Sequence, residues 1–187
     1  MLAAVEKGDA KKLAELIRQD PGFKVNMDQD GNGLTLLHHA CFGDWRSAVI
    51  PLLLAHPDID ANMKDEYGRT PFYYACYGCP SCAREMLKDS RVKANEPNKY
   101  GETPLWWAAS NGHLEVIKLW IASGREIDLG TPGDGEKTNA IGGAKKNGKT
   151  GAVSLLERFK SDAAKTRSEV RKELGITGQY HSFFSID

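Results

Sequence analysis

The sequence predicts an all-α protein, a solenoid of stacked helix-turn-helix units joined by hairpin loops. One observation is the stretch from Gly101 to Gly124, which contains two short helical patterns separated by a turn. Another is its recurrence, since an alanine of the first helix returns after 36, 35, 33 and 36 residues, at Ala4, Ala40, Ala75, Ala108 and Ala144. Such a period is typical of units that bury their apolar faces only against their neighbours.

The Gly101–Gly124 stretch shows why each unit is helical. Thr103 can accept hydrogen bonds from backbone amides as a helix N-cap, and Pro104 suits the first helical position, where a missing N–H costs nothing. The pair Asn111-Gly112 favours a turn between two helices. Apolar residues then recur at helical spacing over 114–121, and a glycine ends the second helix.

The three preceding units follow the same plan with local departures. The first, from Met1 to Arg18, turns at Gly8-Asp9 and is predicted to be a polar-faced N-terminal cap. The second begins Thr35-Leu36-Leu37-His38, and the third begins Thr70-Pro71-Phe72-Tyr73. Each start has a threonine in the N-cap position, so we expect a helix at both places.

The fifth unit is the least regular. It begins Asn139-Ala140-Ile141-Gly142 after a glycine-rich lead-in from Gly130 to Glu136. Gly142 and Gly143 inside a helix cost about 1 kcal/mol each relative to alanine, so we expect this first helix to fray. The apolar positions from Ala152 to Lys160 predict a second helix that closes the stack. We therefore expect stability to be lowest in the fifth unit and highest in the third and fourth.

Residues beyond the repeats form a separate region of the sequence. Asp162 to Leu174 is a charged helical segment that Gly175 can end. Ile176 to Asp187 contains aromatic residues and is compatible with two roles, packing on the last repeat or forming an exposed docking segment. We therefore divide the chain into a repeat domain of about five units, 1–160, with caps at both ends, and a C-terminal helical extension and tail, 161–187.

The repeated signature resembles that of the ankyrin repeat family. The period of about 33 residues is shared, and the resemblance is strongest from Thr35 to Gly124. Where the family has a histidine near the start of the first helix, this chain has His38, then Tyr73, then Trp106. The resemblance implies that this histidine bonds to neighbouring backbone across the hairpins. We therefore expect altered ties between hairpins at the tyrosine and the tryptophan.

Composition restricts the classes of partner. Lys plus Arg and Asp plus Glu both number 25, which gives a formal net charge of +0. We therefore expect neither a nucleic acid partner nor attraction to an anionic membrane. No apolar run reaches the roughly 18 to 20 residues of a membrane span, and the charges at Glu6, Lys7 and Asp9 are unlike a signal peptide. We expect a monomer in the cytoplasm or nucleus, with its four cysteines reduced.

One segment matches the P-loop pattern of nucleotide-binding enzymes. Gly143 to Thr150 satisfies G-x-x-x-x-G-K-[ST], a loop whose amides cradle phosphates and whose lysine, here Lys149, reaches the terminal phosphates. A P-loop follows a buried strand, however, and no apolar strand precedes this segment. Asn147-Gly148 aligns instead with the turn of a repeat. We favour that turn, with the lysine facing solvent, and keep a P-loop enzyme as the alternative.

The cysteines and histidines are the remaining candidates for metal ligands or catalytic residues. Cys76, Cys79 and Cys82 follow the spacing C-x-x-C-x-x-C, and Cys41 occupies the register of Cys76 one repeat earlier. Thiolates in this spacing can hold zinc or an iron–sulfur cluster. Converging on one ion would distort the predicted helix-turn-helix, so we favour buried free thiols over a metal-binding redox or structural protein. The histidines lack a metal spacing, and we expect no catalytic residues and no cofactor.

These observations predict a non-catalytic interaction module or adaptor that binds another protein. The resemblance to ankyrin repeats implies contact through the hairpin tips and the concave inner surface of the first helices. The corresponding positions, here called the candidate binding face, are Asn32, Leu34, Phe42, Glu66, Tyr67, Arg69, Tyr77, Lys99, Tyr100, Glu102, Trp107, Ser110 and Asn111. We expect Tyr67, Arg69 and Tyr77 to be binding anchors that can be truncated with little loss of stability. The alternative is that the aromatic rings only brace neighbouring repeats.

Overall fold

The computed structural model describes residues 1–130 and 139–176. The helices are α1 (Leu2–Glu6), α2 (Ala10–Gln19), α3 (Leu36–Ala40), a 3-10 helix (Asp44–Val49), α4 (Ile50–Leu54), α5 (Pro71–Ala75), α6 (Pro80–Lys88), α7 (Pro104–Asn111), α8 (Leu114–Ser123), α9 (Ala140–Lys146), α10 (Thr150–Ser161) and α11 (Ala163–Glu173). These ranges contain no β-strand, so the predicted all-α fold class is confirmed. Most of the glycine-rich lead-in and nearly all of the tail, including His181, lie outside the described residues.

The helix ends lie where the sequence predicts them. The hydroxyl of Thr70 accepts from the amide of Tyr73 at 3.3 Å, and the hydroxyl of Thr103 accepts from the amide of Trp106 at 3.1 Å. A proline follows each threonine at the start of its helix. Gly112 ends α7 in the left-handed region at a φ of 76°. These local signals explain where the first helices of the third and fourth units begin and why that of the fourth unit ends at Gly112.

The helices pack as two layers with the core between them. The first helices α1, α3, α5, α7 and α9 contact one another in chain order, and α2, α4, α6 and α8 do so in the second layer. Trp120 is fully buried in the core, and its ring lies edge-on to Phe72 with 5.0 Å between ring centroids. No single unit encloses its own core, which accounts for the stacking. None of the described helices combines the length and apolar composition required to cross a bilayer.

The second unit departs from the plan. Its second helix starts as a 3-10 helix, Asp44–Val49, and continues as the short helix α4. Pro51 lies at the start of α4, where its missing amide is tolerated. The change of helix type within this unit was not predicted from the sequence.

The first helix of the fifth unit is formed, and a glycine explains its position. The side chain of Asn139 accepts from the amide of Gly142 at 2.8 Å and caps α9. A Cβ atom added to Gly143 would lie 2.3 Å from Ser110 Oγ and 2.8 Å from Trp106 Nε1. The glycine therefore permits α9 to lie close to α7. We expected this helix to fray because glycine has a low helix propensity. Gly143 has a second effect, since its missing side chain permits this close packing.

The described part of the C-terminal extension packs on the stack. Helix α11 contacts α8 and α10. Arg167 Nε donates to the carbonyl of Ile121 at 3.1 Å, and Arg171 Nε donates to the carbonyl of Ala122 at 2.7 Å. These bonds add donors to carbonyls in the last turn of α8, where the amide of the C-cap Gly124 also donates to Ile121 at 3.3 Å.

Candidate protein-binding surface

The hairpin tips of successive units are joined through their backbones. The amide of Glu66 donates to the carbonyl of Asn32 at 2.9 Å, and the amide of Lys99 donates to the carbonyl of Tyr67 at 2.9 Å. Gly68 between these tips has a φ of 77°, and a Cβ there would lie 2.9 Å from the Lys99 amide nitrogen. The tips thus form one continuous edge. Tyr67 and Tyr100 are exposed along it, by 42% and 61%.

Four side chains surround the guanidinium of Arg69 in the third unit. Its guanidinium pairs with the buried carboxylate of Asp65 at 2.7 Å and donates to the hydroxyl of Tyr77 at 3.4 Å. The guanidinium carbon lies 4.5 Å from the ring centroid of Tyr67 and 4.8 Å from that of Tyr74. Its orientation is therefore fixed, and it presents a cation among aromatic rings.

Asp65 is the buried anion of this cluster. Its carboxylate also accepts from the hydroxyl of Tyr74 at 2.6 Å and from the amides of Tyr67 and Arg69 at 2.9 and 2.8 Å. Burial acts to raise the pKa of Asp65, but the hydrogen bonds from Tyr74 and Arg69 outweigh it, and the pKa lies below its usual range. The carboxylate is consequently ionised at neutral pH and serves as a structural anchor.

Aromatic rings continue from this cluster across three units. Phe42 lies 4.6 Å from Tyr74, Tyr74 lies 5.3 Å from Tyr77, and Tyr77 lies 4.7 Å from Trp107, measured between ring centroids. We call these four rings the aromatic row. Neither Asp65 nor Tyr74 was predicted from the sequence to belong to this surface. The adjacent pair Tyr73-Tyr74 is the feature of the sequence that could have indicated a second ring at this place.

The structure places most, but not all, of the predicted face at the surface. The exposed members are Asn32, Phe42, Glu66, Tyr67, Lys99, Tyr100 and Asn111, and the partly buried ones are Leu34, Arg69, Tyr77, Glu102 and Trp107. Ser110 is 2% exposed, and its hydroxyl faces Gly143 of the next unit. Its assignment to the candidate binding face is therefore wrong, because the close approach of α9 covers it.

Two further side chains, His38 and Tyr73, connect neighbouring hairpins. The ring of His38 contacts the carbonyl of Arg69 through Nε2 at 3.1 Å, as the resemblance implied. In the third unit, Tyr73 replaces this tie through its hydroxyl, which accepts from Asn98 Nδ2 at 3.0 Å and donates to Glu102 at 3.3 Å. Glu102 thus helps to hold the hairpin, in addition to lying at the edge of the predicted face.

The segment that matches a P-loop has a different structure. Residues up to Lys146 lie in α9, and the amides of Gly148, Lys149 and Thr150 donate to the backbone carbonyls of Lys145, Ala144 and Gly148. Amides used in this way cannot cradle a phosphate. The stem of Lys149 packs 3.0 Å from the Cβ position of Gly112, so the lysine is partly buried and not simply solvent-facing as expected.

The cysteines do not converge as a three-thiolate motif. All four are buried, and burial raises the pKa of the Cys41 and Cys76 thiols well above the usual range. Among the described residues, the group whose ligand atoms come within 4.8 Å of one another joins Cys79 and Cys82 to Asp44, without Cys76. Asp44, which lies one unit earlier in the chain, was not among the residues predicted from the sequence.

The helix pairs stack into a solenoid, and side chains are exposed along its joined hairpin tips. This architecture is that of a repeat protein of the kind that binds other proteins. A family model described as ankyrin repeats (3 copies) matches residues 1–96 and 60–131. The chain belongs to the ankyrin repeat family. Repeats of this family bind other proteins, and the prediction of a protein interaction module is confirmed at that level.

Curated relatives share part of this chain. It is 40% identical over 108 residues to SMC5-SMC6 complex localization factor protein 1 of Bos taurus, a match that covers 57% of this chain and 10% of that protein. The Homo sapiens protein of the same name is 42% identical over 98 residues, covering 52% of this chain and 9% of its own length. The matched segments thus span only about a tenth of the length of these relatives.

Proposed function

We propose that the chain is a non-catalytic adaptor that binds a partner protein on the hairpin edge and the adjoining aromatic row. The observation that carries this proposal is the exposure of Tyr67 and Tyr100, 42% and 61%, beside rings that are already held in place by one another. Large rings that are fixed before binding lose little conformational entropy in a complex. Aromatic and arginine side chains are also the types that dominate binding hot spots.

The charges along this edge favour a protein surface of mixed character. Glu66 and Lys99 are both exposed and carry opposite charges, while Arg69 contributes a cation that is half-covered by rings. A partner would therefore meet apolar ring faces bordered by charges of both signs. This arrangement matches the apolar centre and polar rim of ordinary protein interfaces.

The relatives suggest the biological setting of this contact. By name they are localization factors of the SMC5-SMC6 complex. We extend that role to this chain and propose that its partner is a protein of the assembly in which an SMC5-SMC6 complex is localised. This proposal places the chain in the nucleus, one of the two compartments expected from the sequence.

The test uses two exposed rings that do not support the core. The double substitution Tyr67→Ala and Tyr100→Ala should weaken partner binding by roughly tenfold or more. Trp45→Ala is the matched control, because Trp45 is 64% exposed but lies in the 3-10 helix and bonds to the carbonyl of Glu6. Immobilised wild-type and variant chains are compared for capture of SMC5-SMC6 subunits and their associated proteins by quantitative mass spectrometry. Affinity for the captured protein is then measured by calorimetry.

The results distinguish binding at the proposed face from binding elsewhere on the chain. Loss of binding in the double variant, with binding kept in Trp45→Ala, supports the proposed face. Unchanged binding in the double variant would contradict it. If binding instead disappears when residues 177–187 are removed, the contact lies in the tail and the adaptor uses a docking segment.

A further inference from the structure

Two thiols lie together at the beginning of α6. Cys79 is the N-cap residue, Pro80 occupies the first helical position, and Cys82 follows one turn later. Residues three apart lie on one face of a helix, so the two sulfur atoms come within 4.8 Å of each other. We propose that Cys79 and Cys82 form a peroxide-sensitive pair that closes reversibly into an intramolecular disulfide.

The surroundings of the two sulfur atoms give them different roles. Cys82 is fully buried, and its sulfur lies 3.5 Å from the carbonyl oxygen of Ala40 and 3.4 Å from that of Gly43, so its single proton is shared among these oxygens and the Cys79 sulfur. Cys79 is 7% exposed and lies at the positive end of α6, which favours a thiolate. Cys79 is therefore the sulfur that meets the oxidant, and Cys82 is the sulfur that resolves the product.

The acidities of the two thiols agree with this assignment. A hydrogen bond from Cys82 lowers the pKa of the Cys79 thiol, although burial opposes this shift. The same hydrogen bond, followed by burial, raises the pKa of the Cys82 thiol far above its usual range. At neutral pH the first sulfur is thus the better nucleophile and the second retains its proton.

The reaction balances with hydrogen peroxide as the oxidant. The Cys79 thiolate attacks one peroxide oxygen, the O–O bond breaks, and the leaving hydroxide takes a proton to become water. The Cys82 thiol then passes its proton to the sulfenic hydroxyl while its sulfur attacks the Cys79 sulfur, so the S–O bond breaks, the hydroxyl leaves as water, and no free Cys82 thiolate forms. Two thiols are oxidised by two electrons, and peroxide is reduced to two water molecules. Because Cys79 has only a small opening to solvent, a peroxide fits this site better than a bulky disulfide.

A disulfide suits the site better than a metal ion. Metal binding would require Cys82 to become a thiolate beside the carbonyl oxygens of Ala40 and Gly43, which repel a negative charge. The disulfide is neutral and avoids this repulsion. Asp44, the remaining oxygen ligand of the group, already accepts from the amide of Ser81 at 2.9 Å.

The experiment treats the reduced full chain with hydrogen peroxide and follows it by intact mass and peptide mapping. We expect loss of two hydrogens, a Cys79–Cys82 cross-link in the peptides, and full reversal by dithiothreitol. The fully buried Cys41 and Cys76 provide internal controls, since both should alkylate only after denaturation. The Cys82→Ser variant keeps a donor for Ala40 and Gly43 but cannot close the bond. It should accumulate a Cys79 sulfenic acid that dimedone traps.

Other results would overturn the proposal. Oxidation that stops at Cys79 in the wild-type chain, or a cross-link that involves Cys41 or Cys76, would exclude the pairing. The chain is also incubated with zinc chloride before alkylation. A bound zinc ion that protects both Cys79 and Cys82 would assign the site to a metal instead.

Discussion

His38 illustrates how a single side chain can connect two units. The amide of Thr35 donates to its Nδ1 at 3.0 Å, so Nδ1 carries no proton and Nε2–H is the donor to the carbonyl of Arg69. The neutral ring is therefore satisfied on both sides. Protonation at Nδ1 would remove the bond from Thr35. Burial is the main cause that lowers the pKa of His38 from 6.5 to about 4.

This shift predicts a loss of stability in weak acid. The unfolded chain binds a proton at His38 near pH 6.5, whereas the folded chain resists protonation until about pH 4. The free energy of unfolding therefore falls as the pH decreases from 6.5 to about 4, and it levels off below that pH. The total loss caused by His38 is about 3 kcal/mol. Urea unfolding at several pH values should show a shallower dependence for His38→Gln than for the wild type. Identical pH dependence would show that the ring does not titrate in this way.

Arg69 differs from the other predicted anchors because it supports a buried charge. Arg69→Ala should lower the free energy of unfolding by about 2 kcal/mol, since the buried Asp65 carboxylate loses its cation. This changes the expectation that the residue can be truncated without loss of stability. Tyr67→Ala is the comparison, and its exposed ring should cost less than about 1 kcal/mol. Chemical denaturation measures both, and equal effects of the two substitutions would contradict the structural role of Arg69.

At the scale of elements, the approach of α9 to α7 depends on a missing side chain. Gly143→Ala should lower the free energy of unfolding by about 1 to 3 kcal/mol, although alanine is the better helix former. The added methyl group would overlap Ser110 Oγ and contact the ring of Trp106. Gly22→Ala is the matched control, because no atom lies within 4 Å of its Cβ position. Thermal unfolding compares them, and a stabilised Gly143→Ala chain would show that helix propensity outweighs packing.

The elements also show which features the sequence can predict. Helix starts at Thr70 and Thr103 and the end at Gly112 depend on neighbours within one turn, so their residue types reveal them. The burial of Ser110 depends on α9, which begins at Ala140, and the pairing of Asp65 with Tyr74 depends on how a hairpin folds against a helix. Contacts of this kind leave no periodic pattern. The fold was therefore predictable from the sequence, whereas the contacts that hold the side chains of the candidate binding face in place were not.

At the scale of the whole molecule, the last described helix joins the fourth and fifth units. Helix α11 lies against both α8 and α10. Arg167 and Arg171 donate to the carbonyls of Ile121 and Ala122, and Lys118 pairs with Glu173 at 2.6 Å. In a stack where each unit contacts only its neighbours, a terminal helix of this kind limits opening from the end. The prediction of lowest stability in the fifth unit therefore depends on whether α11 stays bound.

The double substitution Arg167→Ala and Arg171→Ala tests this dependence. Removing both donors leaves the final carbonyls of α8 without these partners, so α11 should detach more often. We expect faster hydrogen exchange from α9 to α11 and at the end of α8, with little change in α5 and α6. Lys165→Ala is the control, because Lys165 lies exposed on the same helix. Hydrogen exchange followed by mass spectrometry measures each segment. If exchange accelerates equally in α5 and α6, the stack unfolds as one cooperative unit, and unequal stability between repeats is excluded.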